Sequence, residues 1–346
     1  MESILVLTHA DESGGALTKA SLEAVTAGIE LAARLGAPLR IGIVAAEASV
    51  PARALGALAE AKLLAVSGEA FAQARYASDA AACEALCRAA NATIVLAPHS
   101  SRFARVMAGV ARRVGGAIDT HIASLNSPAS GADGVEVTRW FYRQRIEGVL
   151  TRATRPWFLL IECGVYAGFA GAEGNAEVET IAVDLPVPRT QVTGFRAPKQ
   201  DEQTIRPGAN LLFVAGAGWT KKQPDGQTHA AEAGDLILQF LRASGASLGS
   251  SKSLVDQGGD GEPVLPFLTH LNQVGQTGST PRHPKGLATC CHGEEPHVVG
   301  WRFIGERRAI SLDPNCGWTR GKADVVYVAD AFQVMAKVNE LLKASS

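Results

Sequence analysis

The sequence predicts an α/β protein of two domains, each built on a doubly wound, mostly parallel sheet. Three observations lead there. Short apolar runs alternate with amphipathic helical stretches, first over residues 4–97 and again over 210–344. Most of these runs are apolar on both faces, as a parallel sheet covered by helices on both sides requires. The chain has 346 residues, more than the roughly 100–200 of one typical domain.

The elements follow in order. Ile4–Thr8 is strand-like, and Leu22, Val25, Ile29 and Ala32 then recur at helical spacing with Gly36 as a C-terminal stop. Leu39–Ala45, Lys62–Val66 and Thr93–Ala97 read as further strands, the last two separated by the Ala-rich helix Ala80–Ala90. Trp140–Val149 and Trp157–Cys163 read as later strands with an antiparallel sense, and Thr180–Asp184 as another. From Leu185 to Gly208 the periodicity fails, and Pro186, Pro188, Pro198 and Pro207 interrupt a polar stretch. The expected division is therefore an N-terminal domain over 1–184, a linker over 185–208 and a C-terminal domain over 209–346. The second domain opens with strand Asn210–Val214 and helix His229–Ala243. Strands Ala246–Ser250, Leu287–Cys291, Arg308–Leu312 and Asp324–Val328 follow, and helix Ala331–Ala344 closes it. Five short strands with intervening helices predict a flavodoxin-like sheet, which takes ligands at the C-terminal ends of its strands.

Composition narrows the function. A formal net charge of -1 leaves no basic footprint for nucleic acid and no polybasic membrane anchor. Apolar runs such as Trp157–Ile161 fall far below the roughly 20 residues of a membrane span. The sequence enters a strand at Ile4 without a signal or transit pattern, and its six cysteines are scattered, so a cytoplasmic location is expected.

The richest motif is Gln273-Val-Gly-Gln-Thr-Gly278. Glycines on both sides of Gln276 and Thr277 let backbone N–H groups approach a phosphate or a flat ring without a Cβ in the way. Upstream, Leu211–Ala215 runs into the turn Gly216-Ala217-Gly218, and Ser251-Lys252 ends the next strand. Downstream come His292 to His297, Ile310-Ser311-Leu312-Asp313 and Asp330. In this order the motifs resemble the flavin domain of the electron transfer flavoprotein alpha subunit family. The opening Ile4–His9 with Gly14-Gly15, and Ile94–Ser100, resemble its N-terminal domain.

The resemblance implies that FAD is bound by Gly216, Gly218, Ser251, Lys252, Val274, Gly275, Gln276, Thr277, Gly293, His297, Ser311 and Asp330. It also implies a beta subunit as partner, a flavin-dependent dehydrogenase as electron donor and a quinone oxidoreductase or similar acceptor. Several family side chains differ. Ala217 stands where the family has arginine, Lys252 where it has a second arginine, and Ser311 where it has asparagine. In the loop 292–297 only Gly293 and His297 follow the family. The chain therefore reads as a divergent member, and a nucleotide-binding interaction subunit without productive flavin redox chemistry is the alternative.

The residue types fit the implied roles. Gln276 and Thr277 offer an amide and a hydroxyl to ring or ribityl atoms, or they stabilise their own loop. Lys252 keeps a positive charge but loses the planar fork of arginine. His297 can donate to a ring carbonyl. Ser311 and Asp330 can contact the nucleotide, the aspartate through a ribose hydroxyl. Trp219 either shields the dinucleotide or packs in the core. Cys290, Cys291, His292, His297 and Cys316 compete as a zinc set, but the vicinal spacing is poor and no metal is expected. Cys83 and Cys87, four apart on a helix, read as packing. Replacing Thr277 by valine keeps shape and removes the hydroxyl. A lost hydrogen bond of about 1–3 kcal/mol should weaken FAD binding about tenfold to a hundredfold in a titration, and an unchanged dissociation constant would separate this loop from the flavin.

Overall fold

A computed structural model describes residues 2–11, 15–58, 61–127, 134–142, 146–194, 205–206, 208–257, 263–274, 282–289, 304–316, 319 and 323–344. The chain forms two compact units, with the change from the first to the second at 195–196. That position falls within the Pro-interrupted stretch 185–208.

The first unit is built on a sheet whose described strands are β1 (Ile4–His9), β2 (Leu39–Ala45), β3 (Lys62–Ser67), β4 (Ile94–Pro98), β5 (Ala117–Asn126), β6 (Glu136–Phe141), β7 (Ile146–Leu150), β8 (Trp157–Ile161) and β9 (Val178–Thr180). Their order is β7-β6-β5-β8-β4-β1-β2-β3-β9. In the sheet order every pairing from β5 to β9 is parallel, and the antiparallel pairings are those of β6 with β5 and β7 at one edge, so that among the described strands β6 alone runs against the rest. Alternate residues of β1 serve two cores. Ile4 and Val6 join the cluster under helix Lys19–Leu35, while Leu5 and Leu7 join the cluster under helix Tyr76–Ala90. Thr18 caps the first helix by accepting from the Ser21 N–H, and Gly36 ends it at φ 57. Gly28 lets this helix sit low on the sheet, since a Cβ there would lie 2.2 Å from Val6 Cγ2. Cys83 and Cys87 are buried on the second helix, and burial pushes the Cys87 thiol up to about 12.

Four expectations for this unit change. Trp140–Val149 is two strands, because Tyr142 turns the chain at φ 50 and Phe141 pairs with Ile146. β8 is parallel, lying between β4 and β5 with all five residues buried, so its apolar run is that of an interior strand. The last strand is Val178–Thr180, paired with β3, rather than Thr180–Asp184. β5 has no counterpart among the expected strands. Its Asp119, Thr120 and His121 break the apolar pattern, yet Asp119 is only 2% exposed.

The burial of Asp119 is paid for by its partners. The carboxylate accepts from Trp157 Nε1 at 2.9 Å, from Arg152 Nη2 at 2.9 Å and from Arg139 Nη1 at 3.3 Å. Burial pushes its pKa up, but the hydrogen bonds from Arg152 and Trp157 and the charges of Arg152 and Arg139 outweigh this and hold it below the usual range.

The second unit carries β10 (Leu211–Ala215), β11 (Ser247–Ser250), β12 (His283–Thr289), β13 (Ile304–Ser311) and β14 (Val325–Val328), in the order β11-β10-β12-β13-β14 and parallel throughout. Renumbered within the unit this is 2-1-3-4-5, the flavodoxin-like order. Phe213 and Ala215 pack with Ile237 and Phe240 of helix Ala230–Ser244 and with Met335 of helix Ala331–Ala344. Leu212 and Val214 face the other way, with Val274, Ala288 and Ala309. β12 and β13 start at His283 and Ile304, upstream of the expected Leu287 and Arg308. Among the described residues no helix is long and apolar enough to cross a membrane.

Asp119→Ala would leave the buried Trp157 N–H and Arg139 without their acceptor. Urea unfolding at pH 7 should show a loss of about 3 kcal/mol. Because the folded pKa is depressed, the carboxylate stabilises above its unfolded pKa and ceases to as pH falls through the folded value. The gap between parent and variant should therefore narrow below about pH 4. A gap that stayed constant with pH would remove the charge from the explanation.

Candidate functional site

The candidate residues of the second unit that the structure describes gather at one edge of its sheet. Register aligns the C-terminal ends of the strands: Ala215 with Ser250 and Thr289, Thr289 with Ile310, and Ser311 with Val328. The strand order reverses between β10 and β12, and such a switch point opens a crevice for ligands.

Gly216 lies at that crevice. Its N–H donates to Thr289 O at 2.9 Å, and the chain then turns through the short 3-10 segment Ala217–Trp219. Gly218 is buried within the turn. Trp219 is fully buried, donates Nε1–H to Thr289 Oγ1 at 2.8 Å, and has its ring 4.7 Å from that of Phe332. Of its two readings, core packing is the one observed.

Ser251 follows β11 and caps helix Lys252–Asp256, accepting from the Leu254 N–H at 3.2 Å while its own N–H donates to Ala215 O at 2.8 Å. Lys252 projects outward, 62% exposed, and pairs with Asp256 at 3.3 Å. The same carboxylate meets His270 Nε2 at 2.8 Å. Val274 is buried, with its N–H on Ser250 O at 3.0 Å, so the start of the glycine-rich motif is tied to the end of β11. Gln276, Thr277 and Gly275 lie outside the described residues, as do Gly293, His297, Cys290, Cys291 and His292.

The sequence reading passed over Ser250. Its hydroxyl is fully buried and has no hydrogen-bond partner among the described residues. The available signal was its place, next to Ser251 at a strand end. A buried unpaired hydroxyl is costly unless something takes it up.

At the far side, Ser311 ends β13 and is 1% exposed, its Oγ 3.3 Å from both the N and O of Asp313. Asp330 accepts from the Gln333 N–H at 3.0 Å and so caps helix Ala331–Ala344. Both line a small crevice with Gln223, Leu312 and Phe332. Cys316 is buried in the second core of this unit.

In the first unit the two N-terminal motifs also meet. His9 at the end of β1 and Ser100 just past β4 share a hydrogen bond, Nε2 to Oγ, of 2.8 Å. The family comparison matches this part of the chain: the Electron transfer flavoprotein domain covers residues 6–186, just over half of the protein. The chain belongs to the electron transfer flavoprotein family. The family's proteins usually bind flavin and work with a partner subunit and redox partners. No curated protein matches the chain. The matched region stops before every candidate at the C-terminal edge, so those residues rest on their own geometry and motifs.

The cap assigned to Asp330 is open to test. Asp330→Ala should cost about 1 kcal/mol in chemical denaturation, and Asp330→Asn, an equally good cap, close to nothing. Equal losses in both variants would place the role of the carboxylate elsewhere.

Proposed function

We propose that this chain is the alpha subunit of a heterodimeric electron transfer flavoprotein. In this reading residues 209–346 hold FAD, and electrons pass from a flavin-dependent dehydrogenase to a quinone oxidoreductase or similar acceptor. The observation that carries it is a conjunction. A family domain over 6–186 is followed by a five-stranded parallel sheet of order 2-1-3-4-5, with Gly216, Ser251, Val274, Ser311 and Asp330 all at its C-terminal edge.

The residues present fit such a group. The Gly216–Gly218 turn carries no large side chain at the switch point, so a phosphate can come close to the backbone. The unpaired Ser250 hydroxyl is a donor in search of an acceptor. Ser251 and Lys252 stand beside it at the end of β11. When bound, FAD supplies the redox chemistry. The task of the chain is to hold the cofactor, set its electrostatic surroundings and limit water. Gln276, Thr277, Gly293 and His297 complete the set by the family resemblance.

A second reading is a nucleotide-binding interaction subunit without productive flavin chemistry. Two observations favour it: Ala217 in the family's arginine position, and Lys252 already engaged by Asp256.

Co-expression with a beta subunit separates the two readings. The first expects a complex with visible flavin absorption and one FAD released per heterodimer on denaturation. Release of an adenine nucleotide alone would establish the second. In the FAD complex, Ser250→Ala should weaken binding about tenfold, the equivalent of one hydrogen bond. The same change should leave the cofactor-free chain as stable as the parent or more so, since it removes a buried unpaired group. Loss of stability without loss of affinity would make Ser250 structural only.

A further inference from the structure

We propose that His99, His121 and Glu162 form a binding site for one divalent transition-metal ion, with zinc as its first candidate. The three lie at the C-terminal edge of the first unit's sheet, on strands that are neighbours in the order β5-β8-β4. His99 directly follows β4, Glu162 directly follows β8, and His121 lies within β5. Nothing in their spacing along the chain brings them together. The insertion of β8 between β4 and β5 does.

The backbone fixes the arrangement. The His99 N–H donates to Ile161 O at 2.8 Å, and the Glu162 N–H donates to Ile122 O at 2.9 Å. His99 and Glu162 are thus each held by the strand next to its own, and His121 directly precedes Ile122, the acceptor of the second bond. The side chains then converge. His121 Nδ1 lies 2.8 Å and His99 Nδ1 3.4 Å from the same oxygen, Glu162 Oε2. The two imidazoles stand edge to face with centroids 4.1 Å apart. One ligand atom from each residue falls within 4.8 Å of both others.

Two features point to a ligand rather than to a local hydrogen-bond pair. The first is the convergence of two imidazole nitrogens on a single carboxylate oxygen. A carboxylate oxygen can accept both contacts as hydrogen bonds, but the same three atoms, each of a metal-ligating type, lie close enough together to close on one cation. Around a tetrahedral zinc the donor atoms lie roughly 3.3 Å apart; the His99–Glu162 pair is at 3.4 Å, and the His121–Glu162 pair, at 2.8 Å, would open by about half an ångström to admit the ion. The second is the backbone of His121. It sits at φ 57, a conformation few residues other than glycine adopt, at the point where the pairing of β5 with β8 shifts register. The kink turns the ring toward Glu162. A backbone held in a sparse region beside converging polar groups is a recurring mark of a working site.

The donor set selects the ion. Two imidazoles and one carboxylate suit zinc, and after it cobalt, nickel, copper or ferrous iron, rather than calcium or magnesium, which prefer oxygen alone. Three protein ligands leave a position for water. His121 provides the opening, being half exposed, while the side chains of His99 and Glu162 are mostly covered. Cys163 adds no ligand, since its thiol is turned to the carbonyl of His99 at 3.8 Å.

The test uses the full chain, stripped with a chelator and dialysed, then titrated with zinc by calorimetry and with cobalt by visible absorption. One equivalent of each should bind, with cobalt giving the absorption bands of a site of low coordination number. Glu162→Gln and His121→Asn should each weaken zinc at least tenfold. Asparagine tolerates the left-handed conformation, so His121→Asn should keep the fold, as circular dichroism and the melting temperature would report. A double variant, Cys290→Ser with Cys291→Ser, should retain the full equivalent. The proposal fails if the parent shows no saturable binding. It fails equally if folded His121→Asn binds zinc as tightly as the parent, or if the cysteine variant is the one that loses it.

Discussion

One buried carboxylate sets the shape of the larger unit. Asp119 joins β5, β6, the segment after β7 and β8 through Arg139, Arg152 and Trp157. An isolated charge at 2% exposure would be prohibitively costly, so the site exists only because two guanidinium groups and an indole N–H reach it. The three donors come from segments well separated along the chain and must all arrive for the carboxylate to be satisfied. The cluster therefore stabilises one arrangement of strands more than it stabilises compactness in general. With β8 locked against β5 by Trp157, the ends of β4, β8 and β5 have a fixed relation, and the residues just past them inherit it.

Both units use the same device at their sheets. Strand ends aligned by register place single residues side by side at the C-terminal edge, and the chain leaves each strand there with small or polar groups. In the first unit these are His9, His99, Ser100 and Glu162. In the second they are Gly216, Ser250, Ser251 and Ser311. Backbone N–H groups at such an edge are partly used up in capping, as with Ser251 and Asp330. The groups left with spare hydrogen-bonding capacity are then the informative ones, and the Ser250 hydroxyl is the clearest case in the second unit.

Much of the architecture was legible in the sequence because local signals agreed with the tertiary outcome. The helix ending at Gly36, the strand Leu39–Ala45 and the helix Ala331–Ala344 carry clean periodicity and clear end signals, and all three appear as read. The second sheet was legible for the same reason. β5 was not, since burial of Asp119 depends on partners that no local window contains. β8 was read in the wrong sense because an apolar run records burial on two faces but not the direction of its neighbours. The flavin candidates came from motif order, and the structure brings the described ones to a common edge. His99, His121 and Glu162 had no such signal. Their proximity is a product of strand order alone.

The surroundings of Lys252 show how a carried-over residue can keep its charge and change its meaning. A lysine in an arginine position retains one positive charge but concentrates it on a mobile ammonium. Here that ammonium is drawn to Asp256, four residues on, and the same aspartate also engages His270. The net field that this cluster projects toward the strand edge is smaller than that of an unpaired cation, and its exposed position adds screening by water and salt. Any electrostatic influence on a group bound at the edge must then come more from fixed dipoles than from this side chain. The hydroxyls of Ser250 and Ser251 are buried at the end of β11, so a group bound there would meet them with less loss to screening. The departures from the family at Ala217 and Lys252 thus point the same way. Under the proposed function, a cofactor at this edge would rely on backbone and hydroxyl donors in place of the arginine charge that the family resemblance implies at Ala217 and Lys252.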